Sequence, residues 1–194
     1  EATGDKDFGG KVHYFNHGDH NAFYTMGVTL AAGYSLSWFK DTFADDISFE
    51  ELIKEAEEST VGAKGMLFTP YIVGERTPHP DSAIRASFTG VHANHKRGDF
   101  ARAVIEGITF SLNESVEIFR SKGKNISKVV AIGGGAKSEL WLQTQADIFN
   151  AEVVTLANEQ GPGMGAAILA AVGSGWYPSL AECAENFVSY TKTY

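Results

Sequence analysis

The order of hydrophobic and polar positions along the chain predicts short strands that alternate with amphipathic helices. Two apolar runs near the beginning, 12–15 and 23–26, are separated by the polar segment 17–21, and this pattern predicts a β-hairpin or meander. His17 and His20 in the connecting turn are a candidate metal pair. Turn residues are the simpler interpretation, because no Cys or third ligand is clustered with them.

Two helices are predicted after the hairpin. The first spans 29–43, and the second begins with a capping box in which Ser48 is the N-cap and Glu51 reaches back to it. Apolar residues of the second helix recur at i, i+3, i+4 and i+7, which predicts one core-facing side, and its glutamates are expected to form a solvated face. The residues of the apolar side are Phe49, Leu52, Ile53 and Ala56.

A longer helix is predicted further along the chain. Short strand candidates at 65–69 and 86–90 precede it, and Asp99 is its expected N-cap. The helix extends to about Ser121 and carries apolar residues on more than one side, which predicts a central position in the domain.

A rigid loop is predicted between these two strand candidates, over 70–81. Three of the five prolines of the chain fall there, and proline fixes φ and excludes helix. Glu75 and Arg76, held on such a loop, suit the edge of a cleft. An Arg–Glu pair that fastens the loop to its own domain explains the same two residues equally well.

The segment 129–141 carries the strongest chemical signal. Four apolar residues predict a buried strand, Gly133–Gly135 predict a turn, and Ser138 opens a helix that Asn150 closes. Glycines let a backbone approach a ligand closely, and the N-terminus of the following helix offers free N–H groups. Both features are typical of a nucleotide-binding site. The spacing is neither GxGxxG nor a Walker loop, and a tight turn without a ligand is the alternative interpretation.

The remainder of the chain repeats the order of strand, turn and helix. A strand is predicted at 152–156, a glycine turn at 161–165 leads into a helix of small residues that ends at Gly173, and a last helix covers 179–188. The order of elements predicts a mixed α/β domain with one central sheet.

Length and charge narrow the class of protein. The 194 residues suffice for one domain of good size, and the first ten are expected to be flexible. A net charge of −8 and a pI near 5.2 argue against nucleic acid and anionic membranes as main partners. No apolar run approaches the roughly 20 residues of a membrane span. Cys183 is the single cysteine, which favours the reducing cytoplasm.

Four stretches in the expected order resemble the C-terminal domain of the FGGY carbohydrate kinases, and the resemblance covers nearly the whole chain. They are 26–39, 70–79, 133–141 and 163–171. The resemblance implies an α/β, actin-like and ribonuclease H-like domain with a central mixed sheet flanked by helices. It also implies that 1–194 form the nucleotide-binding half of a two-domain sugar kinase, with the sugar-binding domain outside this chain.

The same resemblance implies the ligands and their residues. ATP or ADP, with Mg²⁺, would bind between two walls, while the sugar and the catalytic carboxylate base would belong to the other domain, so the chain alone is expected to be inactive. No residue of this chain is expected to bind the metal. Glu75 and Arg76 would lie at the cleft between the domains. The residues implied for the nucleotide are Gly133, Gly134, Gly135, Ala136 and Ser138 on one wall and Gly33 and Ser37 on the other.

The resemblance implies D-xylulose as the phosphoryl acceptor. Two stretches favour this sugar, the Gly-Glu-Arg-Thr-Pro-His sequence of the loop and the Met-Gly-Val-Thr-Leu run before the first helix. Gluconate, glycerol, ribulose and fuculose are alternatives within the family. Two further hypotheses are an actin-like ATPase module that acts through a protein partner and a binding module without enzymatic activity. The oligomeric state, a homodimer included, is left open by the sequence.

Overall fold

The computed structural model describes residues 8–20, 22–158 and 161–194. Within these residues the chain forms strands and helices in the mixed order that the sequence predicts. The strands are β1 (His13–Asn16), β2 (Phe23–Met26), β3 (Leu67–Thr69), β4 (Ser87–Thr89), β5 (Lys128–Ala131), β6 (Glu152–Leu156) and β7 (Tyr190–Thr193). The helices are α1 (Ala32–Phe43), α2 (Phe49–Glu57), α3 (Arg97–Ser121), α4 (Glu139–Phe149), α5 (Pro162–Gly173) and α6 (Leu180–Phe187).

The strands of the described residues form three small sheets. β1 and β2 pair antiparallel, as the predicted hairpin requires, and β3 pairs antiparallel with β4. The third sheet is mixed, because β5 runs parallel to β6 while β7 runs antiparallel to it. Within the described part of the chain β5 is therefore paired along one edge, and the two hairpins stand outside the mixed sheet. The α/β class, with a mixed sheet and flanking helices, agrees with the prediction, but within the described residues the strands divide among three small sheets and do not form one central sheet.

Helix α3 occupies the centre of the main hydrophobic core. The first half of the helix is almost entirely buried, and residues of α1, α2 and β3 belong to the same core cluster. Gly107 allows the closest approach, since a Cβ at this position would collide with the backbone carbonyl of Phe68 in β3. The predicted central position of this helix is confirmed, and the core depends on a backbone contact that a larger residue would prevent.

Helix termini follow the predicted local chemistry with one exception. The Ser48 hydroxyl accepts the Glu51 N–H at 3.2 Å, and the Glu51 carboxylate accepts the Ser48 N–H at 2.8 Å. Asn150 ends α4 in the left-handed conformation. The prediction of Asp99 as the N-cap of α3 is wrong. The helix begins at Arg97, and the Asp99 carboxylate accepts the N–H of the true N-cap, Lys96, from inside the first turn.

The ends of the chain add two observations. Of the segment expected to be flexible, residues 1–7 lie outside the described residues, while Phe8 is buried and meets the ring of Phe119 edge-on at 6.2 Å. Strand β7, which the sequence pattern does not predict, adds to the mixed sheet. In the described residues no helix combines the length and the apolar character needed to cross a membrane.

Asp99 is the best-connected buried carboxylate of the core region. It accepts the Ser59 hydroxyl at 2.6 Å, the Lys96 N–H at 2.8 Å and the Lys64 ammonium at 2.9 Å. Burial by itself raises the pKa of Asp99, but these three donors favour the charged form and hold its pKa at about 2, below the ordinary 3.8. The network thus joins the start of α3 to the turn that follows α2.

The low pKa of Asp99 predicts how stability responds to acid. A carboxyl whose pKa is lower in the folded state stabilises the protein above the unfolded pKa, and this contribution disappears as the pH falls from about 4 to about 2. Asp99→Asn should therefore cost roughly 1–3 kcal/mol at pH 7 and weaken the loss of stability over that acidic range. Denaturant unfolding from pH 2 to pH 7 measures both effects. Asp41→Asn, at an exposed position of α1, is the control, and equal pH profiles for the two variants would contradict the assignment.

Candidate functional site

A glycine turn joins β5 to α4 and forms one wall of a large cleft. Gly133 has φ +81°, a conformation that suits glycine, and it directs the chain out of the sheet. The next residues form a single tight turn in which the Ala136 N–H donates to the Gly133 carbonyl at 3.1 Å. Ser138 then caps α4, because its hydroxyl accepts the Trp141 N–H at 3.2 Å. The predicted order of strand, glycine turn and helix is confirmed.

Trp141 supports the glycine turn from behind. Its indole is 7% exposed, and the indole N–H donates to the Thr109 hydroxyl of α3 at 3.1 Å. A Cβ on Gly135 would lie 3.2 Å from the Trp141 ring, so glycine at this position lets the turn lie flat on the indole. Gly134 has open space where a side chain would project. At Gly134 and Gly135 the turn therefore presents backbone, without side chains, toward the cleft, and Lys137 follows as a charged residue of the lining.

Helix α1 forms the opposite wall of the cleft, and α2 forms a third. Gly33 and Ser37 of α1 face the glycine turn, and the Ser37 hydroxyl donates to the Gly33 carbonyl at 3.4 Å. The volume of this open cleft is about 880 Å³, within the range of small-molecule sites. The complete lining is Gly33, Leu36, Ser37, Phe49, Glu50, Ile53, Lys54, Glu57, Gly134, Gly135, Lys137, Ser138 and Trp141.

Five of the seven residues expected at the nucleotide line this cleft. Gly133 instead shapes the turn, and Ala136 borders a smaller pocket toward β6 and β7. Sequence reasoning missed the contribution of α2. It assigned Phe49 to the core, whereas the side chain is 45% exposed and lies on the cleft. The i, i+4 spacing of Phe49 and Ile53 was the available signal, but it does not say which surface the pair faces.

Glu75 and Arg76 lie on the loop 70–81, apart from the lining of this cleft. Glu75 is 3% exposed, and its carboxylate accepts the Leu30 N–H at 3.1 Å and the Arg76 N–H at 2.7 Å. The exposed Arg76 guanidinium lies against His13, with Nη2 and Nε2 3.0 Å apart. Within the described residues the guanidinium pairs with neither Glu75 nor Asp81, so the local ion pair considered from the sequence is not formed.

The hairpin histidines behave as turn residues. The His17 N–H donates to the Ala22 carbonyl at 2.9 Å, and the His17 ring accepts the Asp19 N–H at 3.0 Å. In the part of the chain that the structure describes, no group of three or more His, Cys, Asp or Glu side chains is placed to hold a metal ion.

Comparison with known proteins gives the family. Residues 4–174 match the FGGY family of carbohydrate kinases, C-terminal domain. The chain is 62% identical over 188 residues to the xylulose kinase of Bacillus subtilis (strain 168), an alignment that covers 97% of this chain and 38% of the relative. The chain belongs to the FGGY family of carbohydrate kinases, and it spans less than two fifths of the length of this relative.

Solved structures agree with this assignment. A xylulose kinase from Lactobacillus acidophilus superposes with a TM-score of 0.86 at 29% identity, over 95% of this chain and 37% of that protein. A gluconate kinase from the same organism superposes with a TM-score of 0.82 at 31% identity, over 90% of this chain and 36% of that protein. The fold is that of the actin-like ATPases, as the sequence resemblance implied.

Gly134 offers a direct test of the cleft. A branched side chain there would extend into open space without touching Trp141, so Gly134→Val should fill the cleft and leave the fold intact. We expect the variant of the full-length protein to bind ATP at least about tenfold more weakly, measured by calorimetry. Gly163→Val, in the first turn of α5 and also in open space, is the matched control. Equal ATP affinity in both variants and the parent would show that the glycine turn is structural.

Proposed function

We propose that this chain is the nucleotide-binding half of an ATP-dependent carbohydrate kinase that transfers the γ-phosphate of ATP to a hydroxyl of D-xylulose. The cleft between the glycine turn and α1 is the observation that carries the proposal, since it combines suitable volume with a wall of bare backbone. The 62% identity to a xylulose kinase supports the acceptor. A cytoplasmic location and a homodimer stay predictions.

In this proposal the chain binds and positions the nucleotide. The backbone at Gly134 and Gly135 contacts the adenosine, and Gly33 and Ser37 lie across it on α1. Phosphoryl transfer relies mainly on positioning and on stabilisation of charge, so a rigid wall for ATP is a sufficient contribution from one domain. The carboxylate that accepts the hydroxyl proton belongs to the sugar-binding domain. Mg²⁺ would neutralise charge on the phosphates, and its ligands lie with the phosphates and the other domain.

Gluconate is the second candidate acceptor. The gluconate kinase from Lactobacillus acidophilus superposes nearly as well as the xylulose kinase from that organism and has a slightly higher identity, 31% against 29%. Since both proteins share the fold of this chain, the choice of acceptor depends on the sugar-binding domain. The nucleotide half is compatible with either substrate.

A coupled assay that detects ADP tests the proposal on the full-length protein. We expect the highest kcat/KM with D-xylulose and lower values with ribulose, fuculose, glycerol and gluconate. The chain 1–194 alone should give no turnover, because the catalytic base lies outside it. A preference for gluconate would select the second candidate. ATP hydrolysis that no sugar stimulates, but a protein partner does, would favour an ATPase module instead.

Arg76 is proposed to act when the two domains close around the substrates. Its loop is fastened next to Arg76 by two hydrogen bonds between the same residues, because the Val28 N–H donates to the Thr77 hydroxyl at 3.0 Å and the Thr77 N–H donates to the Val28 carbonyl at 3.0 Å. The guanidinium itself is exposed and is free of carboxylate partners among the described residues. A guanidinium has several N–H donors in one plane, and a fixed loop holds them in a constant direction. Such a group suits a phosphoryl oxygen, or a carboxylate on the opposite side of the cleft between the two domains.

The substitution Arg76→Lys keeps the positive charge and removes the planar set of N–H donors. If the guanidinium contacts phosphate or the opposite domain, kcat of the full-length enzyme should fall by about tenfold or more, with an unchanged melting temperature. Arg85→Lys is the control, since Arg85 is also exposed and, within the described residues, its guanidinium donates to the neighbouring carbonyls of Ser82 and Ile84. Unchanged kcat, or a fall in melting temperature that accounts for the lost activity, would leave Arg76 a structural role.

A further inference from the structure

The wall formed by α2 is the part of the cleft that the family motifs do not account for. Its contribution comprises an aromatic ring, a branched aliphatic side chain and three charged residues, all on one side of the helix: Phe49, Glu50, Ile53, Lys54 and Glu57. Ile53 packs partly against the main core, whereas Phe49 is 45% exposed. A half-exposed aromatic ring on the wall of a ligand-sized cleft is a surface available to an apolar or aromatic guest.

The Phe49 ring is fixed in place by two helices. Phe49 is the first residue of α2, held there by the Ser48 capping box, and the Lys40 ammonium of α1 lies 5.7 Å from its ring centroid. The ring therefore lies between the start of α2 and the Lys40 side chain of α1, on the lining of the cleft. The capping box fixes the backbone that carries the ring.

The charges on α2 indicate which part of a nucleotide lies beside it. On the α2 wall, Glu50 and Glu57 place two carboxylates beside one ammonium, that of Lys54, whereas Lys137, the other cation of the lining, follows the glycine turn on a different wall. A polyphosphate carries several negative charges, so it is disfavoured along this wall. A nucleobase is uncharged and planar, and its faces stack well on aromatic side chains.

From this combination we infer that α2 forms the base-recognition wall of the nucleotide site, with Phe49 and Ile53 contacting the face of the base and Glu50 and Glu57 directing the phosphates toward the other end of the cleft. Phe49 is thus a further binding residue for the nucleotide. The inference rests on the proposed function, because it names the contacts of the same nucleotide. The glycine turn would then face the adenosine from the other side, with the Trp141 ring behind it.

Calorimetry on the full-length protein with three probes tests this assignment. The probes are ATP, adenosine and inorganic tripolyphosphate, which separate the base from the phosphates. Phe49→Ala should weaken the binding of ATP and of adenosine by a similar factor, about tenfold, and leave tripolyphosphate unaffected. Phe49→Trp, which keeps an aromatic surface, should restore most of the adenosine affinity.

Phe43→Ala is the matched control. Phe43 is also an exposed phenylalanine, 53% exposed at the end of α1, but it borders a different pocket formed by aromatic residues. Its removal should leave all three affinities unchanged. Unchanged adenosine affinity in Phe49→Ala, or an equal loss for tripolyphosphate, would overturn the inference while the parent still binds ATP. A parent protein that binds neither ATP nor adenosine would instead overturn the proposed function.

Discussion

The hydrogen bond between the Trp141 indole and the Thr109 hydroxyl determines where the candidate site stands. Thr109 is fully buried in α3, and its hydroxyl also donates to the Ile105 carbonyl at 2.8 Å, so the acceptor cannot turn away. A buried indole N–H without a partner would cost about 1–3 kcal/mol, which favours a single orientation of the ring. Because Gly135 lies directly on that ring, the central helix α3 fixes the position of the glycine turn through Trp141.

A second set of ties links the proline-rich loop to the wall formed by α1. Thr77 and Glu75 together accept the N–H groups of Val28 and Leu30, and Thr77 also donates its hydroxyl to the Lys11 carbonyl at 2.9 Å. These bonds join the loop to the segment immediately before α1. The same hydrogen bonds therefore connect the loop that carries Arg76 to the helix that carries Gly33. A displacement of the loop would move the start of α1, and with it the wall of the cleft.

The features that could be predicted from the sequence are those that depend on interactions between residues a few positions apart. The Ser48 capping box, the Ser138 cap and the left-handed Asn150 each depend on side chains within three or four positions of the helix end. Asp99 carries the same kind of signal, but it predicts the N-cap of α3 three residues too late, at Asp99 in place of Lys96. Its bonds to Ser59 and Lys64 come from distant parts of the chain, and no local rule reports them.

Other features depend on tertiary contacts that leave no periodic signal. Every residue of β7 is exposed, so the strand lacks the apolar alternation by which a half-buried strand is recognised, and its pairing with β6 defines it. The apolar face of α2 was recognised, but Phe49 belongs to the cleft because α1 and α4 leave that side open. The glycine turn and the opposing Gly33 were identified as a site because the family motifs place them together, which composition and spacing alone do not.

The open edge of β5 has a consequence for handling the protein. Within the described residues β6 is the only strand that pairs with β5, so the mixed sheet ends at β5, beside Val130, which is 40% exposed. Such an edge is a template for strands of other molecules, and natural proteins normally cover or interrupt it. For this chain on its own, intermolecular strand pairing at β5 is the expected route to aggregation, and a lysine on the exposed side of β5 is the substitution that opposes it.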